Sequence, residues 1–267
     1  MEHSSRLIPV PLRAGSAGIA IISLSVLLLS FVSFLRAIPI AVFTAAIILV
    51  LCSWFSRDQH ALHLAVFTAA LTAVRSLLPS LPPWPYTLLI PLLASSGIGT
   101  IVPRMRRSYQ WMRRGTLDRD MLISIFVIAV ISGAALALWV VVLKPDLTVH
   151  LNNLPYMPLW LLPLAGLAFA SANAATEEFI YRGMIMHALD SAAGAGVLSL
   201  LVQAWLFGAM HYFQGFPNGW WGVAMTFIYG VMLGWLRRRA QGLLAPWIAH
   251  MFADLVIFVI VAEIAVK

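Results

Sequence analysis

Three ionisable side chains lie close together near the end of a long apolar run. They are Glu177, Glu178 and Arg182, in a chain of which only 10% of the residues are charged. A charge at membrane depth costs roughly a few kcal/mol, so such residues usually face a protein interior or a watery cavity. On a helix, Glu178 and Arg182 are four residues apart and can pair, whereas Glu177 points about 100° away.

This spacing leaves two interpretations open. In the first, Arg182 holds Glu178 while Glu177 faces a cavity and acts as a general base. In the second, the stretch is a charged helix end at the membrane interface, with a Glu–Arg pair and no chemistry.

Two later apolar runs carry the other polar groups. Phe207 and His211 are four residues apart, as are His250 and Asp254, so each pair shares a helix face. Either histidine could be structural, through a hydrogen bond between helices. A His–Asp pair can also fix an imidazole tautomer or bind a metal.

Together these stretches contain two glutamates, two histidines and an aspartate on three separate segments. We expect the side chains of Glu177, His211 and His250 to line one cavity, because burying each group separately is costly. Such a set can activate a water and stabilise an oxyanion. The expected topology puts His211 roughly two helical turns from Glu177 in depth, so convergence requires tilted helices.

The composition indicates a membrane protein. Of 267 residues, 61% are hydrophobic, and the mean hydropathy is +0.92. We therefore predict an all-α, polytopic integral membrane bundle of about eight or nine transmembrane helices. The single cysteine, Cys52, lies in an apolar run, where we expect it to pack; it excludes an internal disulfide.

The net charge of +7 could indicate nucleic acid, but its distribution argues against that partner. Basic residues collect in two short connections, 104–120 and 237–239, as in cytoplasmic loops. Membrane lipid is the expected partner.

Placing both connections in the cytoplasm puts the N-terminus inside. The predicted spans are 14–35, 37–55, 61–78, 86–103, 121–143, 158–188, 194–214, 219–237 and 243–265; Pro91 suggests that the fourth is broken or re-entrant.

In these residues the sequence resembles the CPBP family of intramembrane proteases, the CAAX-protease and bacteriocin-processing proteins also called the Abi family. The family pattern is E-E-x-x-x-R, then F-x-x-x-H, then H-x-x-x-N or a similar residue, on separate helices. The resemblance covers about 159–266, so we interpret 158–267 as the catalytic core and 1–157 as N-terminal helices of unassigned role. The matching residues are Glu177, Glu178, Arg182, Phe207, His211, His250 and Asp254.

The resemblance implies a role for each of these positions. Glu177 is expected to activate the attacking water, supported by Glu178 and Arg182. His211 and His250 are expected to polarise the scissile carbonyl or stabilise the oxyanion. Asp254 stands where the family usually has asparagine; it is either protonated, or it orients His250, or it is a metal ligand.

The family has been described both as metalloproteases and as glutamate-type peptidases that require no metal. Glu177, His211 and His250, with or without Asp254, are an acceptable zinc set. The usual H-E-x-x-H signature is absent from the sequence. We favour the metal-free mechanism, with zinc as the alternative.

The sequence thus predicts an intramembrane endopeptidase that acts on a membrane-bound or lipidated peptide or protein, in a bacterial inner membrane. One alternative is a non-catalytic immunity or scaffold member of the same fold, although a complete motif set argues against it. Another is a transporter or proton relay, since buried Glu and His also mark such pathways. The sequence has no inverted repeat, which argues against transport.

Overall fold

A computed structural model of the chain describes residues 13–81, 85–152, 157–213 and 215–266. Within these ranges every regular element is helical and there is no strand. The prediction of an all-α membrane bundle is confirmed. Part of the proline-rich connector between the third and fourth predicted spans lies outside the described residues.

The first half of the chain contains four apolar helices of 16 to 19 residues, a short kinked segment, a long helix of 25 residues and a short helix. In chain order these are α1 (Ser16–Ser33), α2 (Ile40–Ser56), α3 (Gln59–Leu77), α4 (Tyr86–Ile101), α5 (Pro103–Arg106) with a 3₁₀ helix (Arg107–Trp111), α6 (Arg119–Leu143) and the short α7 (Thr148–Asn152).

The second half contains a long, locally distorted helical stretch and three further helices. It consists of a 3₁₀ turn (Leu159–Leu161), α8 (Leu162–Glu178), a π-helical segment (Phe179–Ile185, hereafter the π segment), α9 (Met186–Ala193), α10 (Val197–Met210), α11 (Gly219–Ala240) and α12 (Leu244–Val266).

Each predicted span contains an apolar helix, but not all of these helices are long enough to cross a bilayer by themselves. Among the described residues, six helical stretches meet the length and composition of a span, or seven if a bent pair is counted. Two more apolar helices, α2 and α10, are shorter. A count of eight or nine spans therefore stays a prediction.

The fourth span is bent, as predicted, but not at Pro91. The two parts, Tyr86–Ile101 and Pro103–Trp111, meet at 110°. The break falls at Val102, which is extended because it precedes Pro103. The short second part turns Met105, Ser108 and Trp111 inwards.

The outer faces of the bundle are apolar, whereas several polar side chains are inside it. Phe55, Phe126 and Trp160 are exposed, which suits contact with lipid. Cys52 is also exposed on α2, so the expectation that it packs in the interior was wrong. Arg75 donates to the backbone carbonyls of Val32 and Leu35 and is therefore structural.

Small residues bring the helices of the second half close together. A side chain at Gly208 would meet the Val223 carbonyl oxygen at 2.7 Å, and one at Gly230 would meet the Ala204 Cα at 3.0 Å. The backbones of α10 and α11 thus approach closely, which is the usual role of small residues between membrane helices. This contact fixes the position of Phe207 in the bundle interior.

The two arginine-rich connections lie at the same end of the molecule. The amides of Leu243 and Leu244 donate to the carbonyls of Arg113 and Arg114, at 2.9 and 3.1 Å, and the Thr116 amide donates to the Ala240 carbonyl at 2.8 Å. These bonds attach the 113–116 loop to the turn that precedes α12. They agree with the prediction that both connections occupy one side of the membrane.

Candidate active site

The acidic pair lies where α8 changes into the π segment. Glu177 and Glu178 are the last two residues of α8, and Arg182 lies within the π segment. A π bulge adds a residue to the helical turn, so side chains beyond it are rotated by about 100° relative to a continuous α-helix. Such distortions are frequent at functional sites.

Trp111 packs directly against the π segment at Gly183. A Cβ at Gly183 would meet two carbons of the Trp111 ring at 2.5 Å, so this position has no room for a side chain. Trp111 also contacts the Phe179 ring, with centroids 5.9 Å apart. The bent fourth span therefore supports the segment that carries Arg182.

Glu178 is fully buried and accepts two hydrogen bonds at one oxygen. Arg182 Nη1 donates to Glu178 Oε1 at 3.0 Å, and His250 Nδ1 donates to the same oxygen at 2.8 Å. The predicted Glu178–Arg182 pair is confirmed. The bond to His250 joins α8 to α12 and orients the imidazole, with Nε2 on the far side of the ring from Glu178.

Arg182 is fully buried and is held by more than its ion pair. Its guanidinium carbon lies 4.2 Å from the centroid of the Phe207 ring, a cation–π contact. Its Nη2 donates to the Gly230 carbonyl at 3.5 Å. Arg182 therefore connects the π segment with α10 and α11.

Glu177 and Asp254 both face the second nitrogen of His250. His250 Nε2 lies 3.5 Å from Glu177 Oε2 and 3.8 Å from Asp254 Oδ1. The shortest contact of Asp254 is with another residue, because Asn173 Nδ2 donates to Asp254 Oδ2 at 3.1 Å. Glu178 is thus the closer partner of His250, and Asp254 is not the residue that holds its Nδ1.

His211 joins this group through Phe207. Its Nδ1 donates to the Phe207 carbonyl at 2.9 Å, which leaves Nε2 available. His211 and His250 both pack against the Phe207 ring in edge-on geometry, with centroids 5.1 and 5.7 Å from it. Among the described residues, His211 has no ion pair with Glu177 or Glu178 at 4.0 Å or less.

Residues 158–256 match the family model described as type II CAAX prenyl endopeptidase Rce1-like. We call residues 158–256, which are similar to this family, the Rce1-like segment. The resemblance to the CPBP family is thereby confirmed, and the match supports an intramembrane endopeptidase. Comparison with curated proteins gave no match, and neither did comparison with solved structures.

The Rce1-like segment covers less than half of the chain but includes all the motif residues. It begins just before α8 and ends within α12, so Asn173 and Tyr229 lie inside it as well. The match does not extend to α1–α6. The proposed division at residue 157 agrees with where the match begins but stays a prediction.

Two residues near His250 were not predicted from the sequence. Asn173 lies four residues before Glu177, so helical spacing could have placed it on the same face. Tyr229, on α11, packs its ring edge-on against His250 with centroids 5.6 Å apart and donates its hydroxyl to the Ala249 carbonyl at 3.0 Å. No spacing pattern relates Tyr229 to α12, because the contact depends on how the two helices pack.

Both histidines of the site use Nδ1 in a hydrogen bond: His250 with Glu178 and His211 with the Phe207 carbonyl. A histidine that binds a metal through Nε2 commonly has Nδ1 bonded in this way. In the part of the chain that the structure describes, no three His, Cys, Asp or Glu side chains are arranged to hold a metal. The metal-free mechanism and the zinc alternative both stay predictions, and the reaction proposed for this site uses no metal.

An apolar groove of about 250 Å³ lies along the helix of the acidic pair, at the residues Ala175, Thr176 and Phe179 that flank the pair in the sequence. It is formed by α4, by Trp111 and by the side of α8 that carries Thr176, the residue before Glu177. Glu177, His211 and His250 are not among its lining residues. The expectation that these three line one cavity therefore stays a prediction.

Proposed function

We propose that the Rce1-like segment hydrolyses a peptide bond in a membrane-associated or lipidated protein or peptide, with Glu177 as the general base. One observation carries the proposal. Glu177 Oε2 and His250 Nε2 are 3.5 Å apart, while Glu178 already accepts hydrogen bonds from His250 Nδ1 and Arg182. Of the adjacent glutamates, Glu177 is the one available to a water.

The reaction begins with the water held between Glu177 and the histidines. Glu177 takes a proton from this water as its oxygen attacks the carbonyl carbon of the scissile bond. The carbonyl oxygen becomes an oxyanion in the tetrahedral intermediate. When the carbon–nitrogen bond breaks, the proton on Glu177 passes to the leaving amine, which restores the carboxylate.

His250 and His211 act on the carbonyl side of this reaction. In its imidazolium form His250 donates Nδ1–H to Glu178 and can also donate a hydrogen bond from Nε2–H to the developing oxyanion. His211 Nδ1–H is bound to the Phe207 carbonyl, so His211 donates from Nε2 to the same oxyanion only when it too is doubly protonated. Prearranged donors of this kind need no reorganisation during the reaction.

The apolar groove beside α8 supports a substrate with an apolar anchor. Its walls include Leu92, Leu93 and Phe179, and it borders the helix that carries Glu177. A lipid chain or an apolar helix in this groove would hold the adjoining peptide close to the acidic pair. A peptide without an apolar anchor gains less from this environment.

The proposal predicts a specific change in the cell's proteins. Membranes from cells that express the wild-type chain are compared with membranes from cells that express Glu177→Gln, by mass spectrometry of new peptide termini. We expect termini that are present only with the wild type. Glu263→Gln, at an exposed site on α12, is the matched control and should retain them. Identical termini with wild type and Glu177→Gln would contradict the proposal.

A further inference from the structure

Asn173 joins the two carboxylates that face His250 Nε2. Its Nδ2 donates to Asp254 Oδ2 at 3.1 Å, and its amide is within hydrogen-bonding reach of Glu177. Asn173 and Glu177 are one helical turn apart on α8, whereas Asp254 lies on α12. The Asn173 carboxamide therefore connects Glu177, the proposed base, with Asp254, which stands where the family usually has asparagine.

The crowding of acids explains why an amide is useful at this point. Glu177 is 9% exposed, Glu178 is 0% exposed and Asp254 is 4% exposed, and all three lie around one imidazole. Ionised carboxylates only accept hydrogen bonds, so neighbouring carboxylates need a donor between them. An asparagine amide supplies two N–H donors without adding charge.

We propose that Asn173 is a positioning residue for the reaction, and that it supplies from α8 the amide that is expected at position 254. In the family pattern the helix of the second histidine carries the asparagine; here that helix carries Asp254, and the facing helix α8 carries the amide. Asn173 holds Glu177 and Asp254 in a fixed relation, so that Glu177 meets the water in one orientation. The proposal rests on the proposed function of Glu177.

An exchange experiment tests this arrangement. The purified full-length chain in detergent is assayed on a lipidated or transmembrane peptide as wild type, Asn173→Asp, Asp254→Asn and the double variant. We expect Asn173→Asp to lower kcat about tenfold or more, because it places a further acid beside Asp254. Asp254→Asn should cost only about threefold, since two facing amides can still bond. In the double variant the amide at position 254 can donate to the acid at position 173, so we expect kcat to recover at least about threefold over Asn173→Asp alone, although the donor to Glu177 is still missing.

The change should appear in kcat rather than in KM. Asn173 acts on the base and not on substrate binding, so we expect KM to stay within about twofold of the wild-type value. Asn218→Asp, at an exposed position before α11, is the matched control and should behave as wild type. If Asn173→Asp does not fold, Asn173→Ala is used, with the same expected loss in kcat at an unchanged KM.

Two results would overturn the role of Asn173. One is an Asn173→Asp variant as active as wild type, and the other is a double variant no better than Asn173→Asp alone. Glu177→Gln is measured in the same assay, so that an error in the role of Asn173 can be told apart from an error in the proposed role of Glu177. If Glu177→Gln is inactive and the exchange fails, only the role of Asn173 is wrong; if Glu177→Gln is fully active, both proposals are wrong.

Discussion

At the scale of single residues, Glu178 is the group around which the site is held together. It is buried, and one of its oxygens accepts hydrogen bonds from both Arg182 and His250. Glu177 and Glu178 are adjacent in the sequence, but their side chains have different surroundings. Glu178 is bonded to Arg182 and His250, whereas Glu177 lies 3.5 Å from His250 Nε2 and is the proposed general base.

Removing the arginine should affect folding as well as activity. Arg182→Ala leaves Glu178 buried without its ion-pair partner and also removes the contact with Phe207. The loss of one partner from a buried pair typically costs about 3–5 kcal/mol. We expect a lower unfolding temperature in detergent and little or no cleavage. Arg107→Ala, at an exposed position, is the control; equal unfolding temperatures for the two variants would contradict the buried pair.

At the scale of helices, the contact between Trp111 and the π segment determines where Arg182 lies. Gly183→Ala introduces a Cβ at 2.5 Å from the Trp111 ring. We expect destabilisation of about 1–3 kcal/mol from overpacking, together with reduced cleavage because the π segment must shift. Trp111→Leu in the Gly183→Ala background should recover part of the unfolding temperature.

A second glycine provides the control for this experiment. Gly97 lies on an exposed face of α4, with no atom within 4 Å of an added Cβ. Gly97→Ala should be neutral or should stabilise the chain by up to about 1 kcal/mol, since alanine favours the helix. A Gly183→Ala variant that behaves like Gly97→Ala would show that the Trp111 contact does not position the π segment.

At the scale of the whole molecule, the topology can be tested through the arginine-rich connections. The backbone bonds between 113–116 and 240–244 place them at one end of the bundle, and Asn218 lies at the opposite end of α11. In a Cys52→Ser background, cysteines at Arg114 and Gln241 should be labelled from the same, cytoplasmic side, and one at Asn218 from the other. Labelling of Arg114→Cys and Gln241→Cys from opposite sides would contradict the fold.

The sequence predicted the features that depend on local spacing. Apolar length located the helices, and the four-residue interval predicted the Glu178–Arg182 pair. It did not predict the π segment, the break at Val102 rather than Pro91, or the Glu178–His250 bond. Those features depend on how α4, α8 and α12 pack in space. The role of Asn173 was only partly predictable. Its four-residue spacing from Glu177 is evident in the sequence, but its hydrogen bond to Asp254 joins two helices and depends on their packing.

The most direct test of the account concerns the base itself. Wild type and Glu177→Gln are purified in detergent and given a lipidated or transmembrane peptide in water enriched in ¹⁸O, and products are identified by mass. We expect wild type to place one ¹⁸O in the new carboxyl group, with and without a strong chelator. Glu177→Gln keeps the shape of the side chain, so it should fold normally and lose about 10²–10⁴-fold in rate. Full activity of Glu177→Gln would contradict the account, and activity lost to the chelator and restored by zinc would replace the metal-free mechanism.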